Sequence, residues 1–263
     1  TPPVTDLTPG YPQYLNPDGN LYITSETPLQ LNANDFAGSG VDVINYRING
    51  GTWEPVNWSD HSFVITGEDG MYVVDYYAMD NLGNTESIKS MVFSLDNTPP
   101  ETDITIGTPQ YLAPDDKLFI TSDTVLQLHA EDNPGGSGVE FVNYRINDGT
   151  WMTITGPDCS FTIIGEDDIY TVSYFSSDHC DNRETIKTIT LYLDNTPPVI
   201  DMCVELKGTS QRVYLPDDTV EIELTDNEKL IAEVEDATEK QVGAGLLYII
   251  CSGLASARFR IGD

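Results

Sequence analysis

The chain has 263 residues, room for two or three domains of ordinary size. Its 43 Asp and Glu against 12 Lys and Arg give a formal net charge of −31, which excludes nucleic acid and anionic membrane surfaces as partners, because phosphate binding needs clustered basic side chains. Disorder, the usual fate of acidic chains, is excluded as well, since 39% hydrophobic and 10% aromatic residues supply apolar surface for packed cores.

The first segment, from Thr1-Pro2-Pro3, opens a unit that alternates apolar and polar residues with period two and is broken by Gly, Pro, Asn and Asp at intervals of roughly 8 to 12 residues. The pattern predicts strands at Thr5–Thr8, Tyr22–Thr24, Leu29–Ala33, Val43–Ile48, Thr52–Val56, Ser62–Ile65, Met71–Asp80 and Glu86–Leu95, an immunoglobulin-like count. Tyr72 near the start of the penultimate strand is placed for a tyrosine corner, its hydroxyl bonding back to backbone. Trp53 follows a tight Gly-rich turn and is expected to pack on the core, as is Trp151.

At Thr98-Pro99-Pro100 the unit starts again, and at Thr196-Pro197-Pro198 once more. Tyr22-Ile23-Thr24-Ser25 matches Phe119-Ile120-Thr121-Ser122, Asn45-Tyr46-Arg47-Ile48-Asn49 matches Asn143-Tyr144-Arg145-Ile146-Asn147, and Leu95-Asp96-Asn97 matches Leu193-Asp194-Asn195. The domains are therefore 1–97, 98–195 and 196–263, the last divergent and read as a truncated copy of a protein that continues. The fold class is all-β, with tandem immunoglobulin-like β-sandwiches arranged as a rod. The run 243–257 is shorter than the roughly 20 residues that span a bilayer and is taken as a core strand, so direct membrane insertion is not expected.

In such a sandwich the loop after the second strand, the loop between the last two strands and the incoming linker share one pole. At the first junction this gathers Asp96 and Asn97 from the linker, Asp132 from the second loop, and Asp178 and Glu184 from the last loop. At the second it gathers Asp194, Asn195 and Asp236, and Asp35 and Asp80 complete the candidate metal ligands. Carboxylate, amide and carbonyl oxygens at this density suit Ca2+, which takes six to eight oxygen ligands in a flexible geometry. The alternative is that Asp-Asn-Thr-Pro-Pro is only a rigid linker, its prolines fixing φ and its Asp capping a turn.

Gly38-Ser39-Gly40-Val41, Tyr46-Arg47-Ile48-Asn49-Gly50-Gly51-Thr52-Trp53, Asp80-Asn81-Leu82-Gly83-Asn84-Thr85-Glu86 and Asp96-Asn97-Thr98-Pro99-Pro100 resemble the Ig-like repeats of prokaryotic cell-surface proteins and giant adhesins. The resemblance covers both complete units and the start of the third. It implies an extracellular, cell-surface location and interdomain Ca2+ held through Asp80, Asp96, Asp178 and Asp194. In the second unit Asp181 stands in place of Gly83, which calls the geometry of that loop into question, because Asp tolerates positive φ less readily than Gly.

Catalysis is not expected. His61, His129 and His179 fall at different places in the repeat, no G-x-S-x-G or HExxH occurs, and the paired carboxylates recur with the repeat, which marks architecture. Cys159 and Cys180 form no CxxC pattern with each other or with Cys203 and Cys251, so zinc is not expected; Cys203 and Cys251 could pair, and Cys159 with Cys180 is a less favourable bridge. Asn57-Trp58-Ser59 is a lone glycosylation sequon.

The expected function is a structural or adhesive module of an extracellular surface protein, from a surface layer, sheath, filament or adhesin, acting as a stiff spacer. Its expected partners are neighbouring copies or further domains of the same protein, possible filament growth by β-augmentation, and surface glycans. The alternative is a non-catalytic accessory or carbohydrate-binding region of a secreted hydrolase.

Overall fold

A computed structural model describes residues 1–197 in full and, beyond them, only the backbone of six further strands. The first unit contains β1 (Val4–Pro9), β2 (Gln13–Leu15), β3 (Leu21–Ile23), β4 (Leu29–Asn34), β5 (Val41–Ile48), β6 (Glu54–Val56), β7 (Asp60–Phe63), β8 (Gly70–Asp80) and β9 (Lys89–Leu95). These pair as two facing sheets, β1-β4-β7 and β2-β3-β9-β8-β5-β6, antiparallel throughout except where β3 runs parallel to β9.

The second unit repeats the plan with β10 (Glu101–Ile106), β11 (Gln110–Leu112), β12 (Leu118–Ile120), β13 (Leu126–Glu131), β14 (Val139–Ile146), β15 (Met152–Thr155), β16 (Asp158–Phe161), β17 (Asp168–Asp178) and β18 (Lys187–Leu193). Its sheets are β10-β13-β16 and β11-β12-β18-β17-β14-β15. Strands β19 (Val199–Leu206), β20 (Arg212–Tyr214), β21 (Glu221–Leu224), β22 (Glu228–Glu235), β23 (Leu247–Ile249) and β24 (Ala257–Arg260) form sheets β20-β19-β22-β23 and β21-β24. Of the run 243–257, Leu247–Ile249 is strand and pairs with β22. The chain is all-β, built of tandem immunoglobulin-like sandwiches, and no helix among the described residues is long and apolar enough to cross a membrane.

Period-two alternation explains the cores. Val74, Tyr76 and Ala78 of β8 point inward against Leu29, Leu31, Ile44 and Phe93, and Val172, Tyr174, Leu126, Leu128, Val142 and Leu191 do the same in the second unit. The tyrosine corner is present twice: Tyr72 donates to Glu68 O at 2.9 Å and Tyr170 to Glu166 O at 3.1 Å. Each hydroxyl lies where a Cβ on the preceding glycine would be, 2.3 Å from that position at Gly67 and 2.0 Å at Gly165, so only glycine fits there.

The tryptophans correct the sequence reading. Ile44 sits opposite Val56 and Tyr46 opposite Glu54, so the inward face of β6 carries Val56 and the residue before Glu54 faces out. Trp53 therefore lies on the outer face of the larger sheet, edge-on to Tyr77 at 4.9 Å with the Arg47 guanidinium 4.5 Å from its ring. Trp151 does the same against Phe175 and Arg145. The loop around Asp181 also keeps its shape: Asp181 takes φ +66°, beside +80° at Gly83, and its N–H reaches Asp178 O as Gly83 N–H reaches Asp80 O. Cys180 N–H and Asn182 N–H both donate to Asp178 Oδ1 and hold that turn.

Candidate metal centre

The junction between the first two units is assembled from three elements. Asp96 follows β9 and is anchored by its N–H donating to Ile23 O at 2.9 Å, Asp132 follows β13, and Asp178 ends β17. Asp96 and Asp178 are completely buried and Asp132 is half-buried, and one carboxylate oxygen from each lies within 4.8 Å of the other two.

Backbone donors orient all three. Ser137 N–H bonds Asp96 Oδ2 at 2.7 Å, Gly138 N–H bonds Asp132 Oδ2 at 2.6 Å, and Asn133 N–H bonds Asp132 Oδ1 at 2.9 Å. Asp178 Oδ1 accepts from Cys180 N–H and Asn182 N–H at 2.8 and 2.9 Å, and its Oδ2 from Asn182 Nδ2 at 2.7 Å. Asn182 Nδ2 also donates to Asp96 O at 2.9 Å, and Tyr14 of β2 stacks on His179 with ring centroids 4.0 Å apart, so the two units are joined by polar and aromatic contacts as well.

Among the described residues none of the three carboxylates forms an ion pair. Burial without a cation pushes the Asp178 carboxyl up to about 6, with the charge of Asp96 adding to the effect. Asp132 is also raised, by burial first, against the lowering effect of the bond from Gly138 N–H and with the Asp96 charge adding to the rise. Cys180, packed beside the cluster, has its thiol pushed up to about 12, again chiefly by burial.

The Asn133 amide lies against the same carboxylates: with its nitrogen turned towards them, Nδ2 donates to Asp132 Oδ1 at 2.9 Å and to Asp96 Oδ1 at 3.2 Å. Every ligand atom the three carboxylates offer is an oxygen, so the set fits a hard cation and not zinc.

The remaining candidate residues are placed elsewhere. Asn97 turns back onto the first unit: its Oδ1 accepts from Ser25 N and Oγ at 2.7 and 2.6 Å, and its N–H donates to Asp69 Oδ1 at 2.8 Å, while Thr98 Oγ1 holds Asp69 Oδ2. Asn195 repeats this against Ser122 and Asp167. Glu184 points into the second sandwich, accepting from Ser176 N–H at 2.8 Å and from Thr102 Oγ1, with Lys187 Nζ at 3.2 Å. Asp35 and Asp80 are the first unit's counterparts of Asp132 and Asp178, bonded to Gly40 N–H and to Leu82 and Asn84, at that unit's opposite pole. Asp194 is anchored to Ile120 O as Asp96 is to Ile23 O, and Asp236 lies outside the described residues.

Sequence reasoning did not single out Asn133, Asn182, or the stack of Tyr14 on His179. Asn133 had a signal, since it adjoins Asp132 in the same loop, whereas the Tyr14 and His179 pairing joins positions from different units that no repeat alignment sets side by side. Cys159 and Cys180 are both buried free thiols, so no bridge joins them, and Cys203 and Cys251 lie outside the described side chains.

No family model and no curated protein matches the chain. Among solved structures it is similar to fibronectin(III)-like modules of Clostridium thermocellum CbhA, at 14% identity over 72% of this chain and 94% of that one, with a TM-score of 0.38. It is similar to a structure from a 1.5-MDa bacterial ice-binding adhesin at 12% identity, over 94% of this chain and 96% of that one, with a TM-score of 0.38. A tetra-tandem repeat in the extending region of a large adhesion protein is 15% identical over 99% of this chain and 75% of that one, with a TM-score of 0.28. At these scores the likeness carries no statement about activity or ligand.

Proposed function

We propose that this chain is a non-catalytic structural module of an extracellular surface protein, a spacer whose first junction is stiffened by Ca2+. The observation that supports this most is the buried trio of Asp96, Asp132 and Asp178, contributed by both units and lacking any paired cation among the described residues. Three carboxylates that close would repel one another strongly in a low-dielectric setting, and a divalent ion turns that repulsion into attraction. Asp96, Asp132 and Asp178 would hold the ion, and a groove lined by Glu101, Asp103, Glu131, Asp132 and Asn133 opens on to Asp132 as a path for it.

The mechanical consequence follows from where the ligands come from. Asp96 belongs to the first unit's exit and the other two to the second unit's loops, so an ion bound by all three resists bending at the linker. The linker is already short, with Asn97 and Thr98 pinned to Asp69 and Pro99 and Pro100 fixing φ.

Calorimetric titration of chelator-stripped protein with Ca2+ tests the reading. We expect saturable binding and, at a hundredfold excess over Kd, about 2.7 kcal/mol of added stability. Asp96→Ala should abolish both and broaden the interdomain distance distribution in small-angle scattering. Melts that respond to bulk salt alone would leave a Pro-fixed, solvated acidic linker as the better account.

A further inference from the structure

The two units differ on one outer face. In the first, a groove of about 390 Å³ is lined by Asn45, Trp53, Tyr77, Met79, Thr85 and Glu86 among others. In the second, Trp151 and Phe175 stand in place of Trp53 and Tyr77, and the residue in place of Thr85 is Arg183. Thr85 bridges to Met79 and Arg183 to Ser177 in the same antiparallel way, so both side chains start from equivalent backbone. Arg183 lays its guanidinium 3.6 Å from the Phe175 ring centroid and covers the aromatic face that its counterpart leaves open. Phe175 is accordingly 8% exposed, while Tyr77 is half-buried.

We propose that the groove of the first unit binds an arginine side chain presented by a basic partner protein. The second unit shows the occupant that this aromatic wall accepts, a planar cation stacked on the ring, and the first unit lacks its own. The wall is already in place: Trp53 is held edge-on to Tyr77 by Arg47, which is in turn fixed by Asp75 at 2.8 Å. Guanidinium groups suit this setting because they stack on aromatic faces and carry a weakly held hydration shell. Glu86 at the groove floor is committed to Lys89 at 3.1 Å and to Ala78 N–H, so attraction of the cation falls to the surrounding acidic surface. A chain of net charge −31 repels a second copy of itself and draws in a basic protein, which sets the partner's chemistry.

The test is a titration of the full chain with the capped peptide acetyl-Gly-Arg-Gly-amide, followed at the Trp53 indole N–H by nuclear magnetic resonance. Citrulline in place of arginine keeps the shape and removes the charge, and a linear β-glucan oligosaccharide probes a sugar as occupant. We expect a saturable Trp53 shift with the arginine peptide that fades with added salt, and binding about 2- to 30-fold weaker with citrulline. Thr85→Arg should fill the groove from within and remove the response, while Arg183→Thr should open the second unit and add a response at Trp151. No Trp53 shift, equal binding of citrulline, a response to the oligosaccharide alone, or an unchanged response in Thr85→Arg would each overturn the proposal. Arg183→Thr keeps the test decisive if Thr85→Arg fails to fold.

Discussion

Replacing Asp178 by Asn separates the cost of the junction carboxylates from their use. Burial raises the Asp178 carboxyl from 3.8 to about 6 in the ion-free protein. The folded state therefore binds this proton more tightly than the unfolded chain does. The associated stability is complete below the unfolded value and is lost as pH rises through about 6. The difference of about 2.2 units, at ~1.36 kcal/mol each, places the penalty at neutral pH on the order of 3 kcal/mol. Asn keeps the oxygen that accepts from Cys180 and Asn182 N–H but presents an amide nitrogen to Asn182 Nδ2, forfeiting one bond of about 1 kcal/mol. The net gain is about 2 kcal/mol, or about 10 °C in Tm for a unit of this size. Differential scanning calorimetry in chelator should show the variant melting higher than the parent at neutral pH, with the order reversed near pH 4, where the parent carboxyl is protonated. Added Ca2+ should raise the parent's Tm and leave the variant's unchanged. A variant that melts lower at neutral pH in chelator, or that gains as much from Ca2+ as the parent, would refute the reasoning.

The buried Arg145 Nε has no hydrogen-bond partner, because Ser173 occupies the place where Asp75 meets Arg47, so Ser173→Asp should stabilise the second unit by about 1 kcal/mol in urea melts. Glu184→Ala leaves Ser176 N–H and Thr102 N–H without their carboxylate acceptor, while Lys187 keeps Thr102 O and Glu101, and should cost about 2 kcal/mol by the same measurement, without altering Ca2+ affinity. Gly165→Ala drives a methyl into the Tyr170 hydroxyl and should cost about 1–3 kcal/mol, part of it recovered in the double variant with Tyr170→Phe.

Much of the architecture is legible because half-buried strands write their period into the sequence: β4 alternates along its length and β8 from Val73 to Asp80, and the expected bounds of both lie within two residues of those observed. Strand β2 was missed, since Gln13-Tyr14-Leu15 is too short to show a period and stays largely uncovered. The tryptophans misled because size and a preceding turn say nothing about face, which the pairing of Ile44 with Val56 decides. Asp96, Asp132 and Asp178 could be grouped from the repeat and the loop order alone. Asn97 could not be separated from Asp96, although adjacent side chains of an extended linker point opposite ways and only one can reach the cluster. Glu184 was grouped by its loop, yet its oxygens are claimed by Ser176 and Thr102 on the sandwich side.

The first and last strands of a unit lie in different sheets and end at opposite poles: β1 begins opposite Asn34, while β9 ends opposite Gly70. A pull on the two ends runs along both strands, across their hydrogen bonds. The six residue pairs of β1 with β4 and the seven of β9 with β8 are then loaded together in shear instead of being peeled apart singly. Strand β3, parallel to β9, adds a second grip on the outgoing chain. With β10 on β13 and β18 on β17 repeating the layout, a tensile load meets the same latch twice in series.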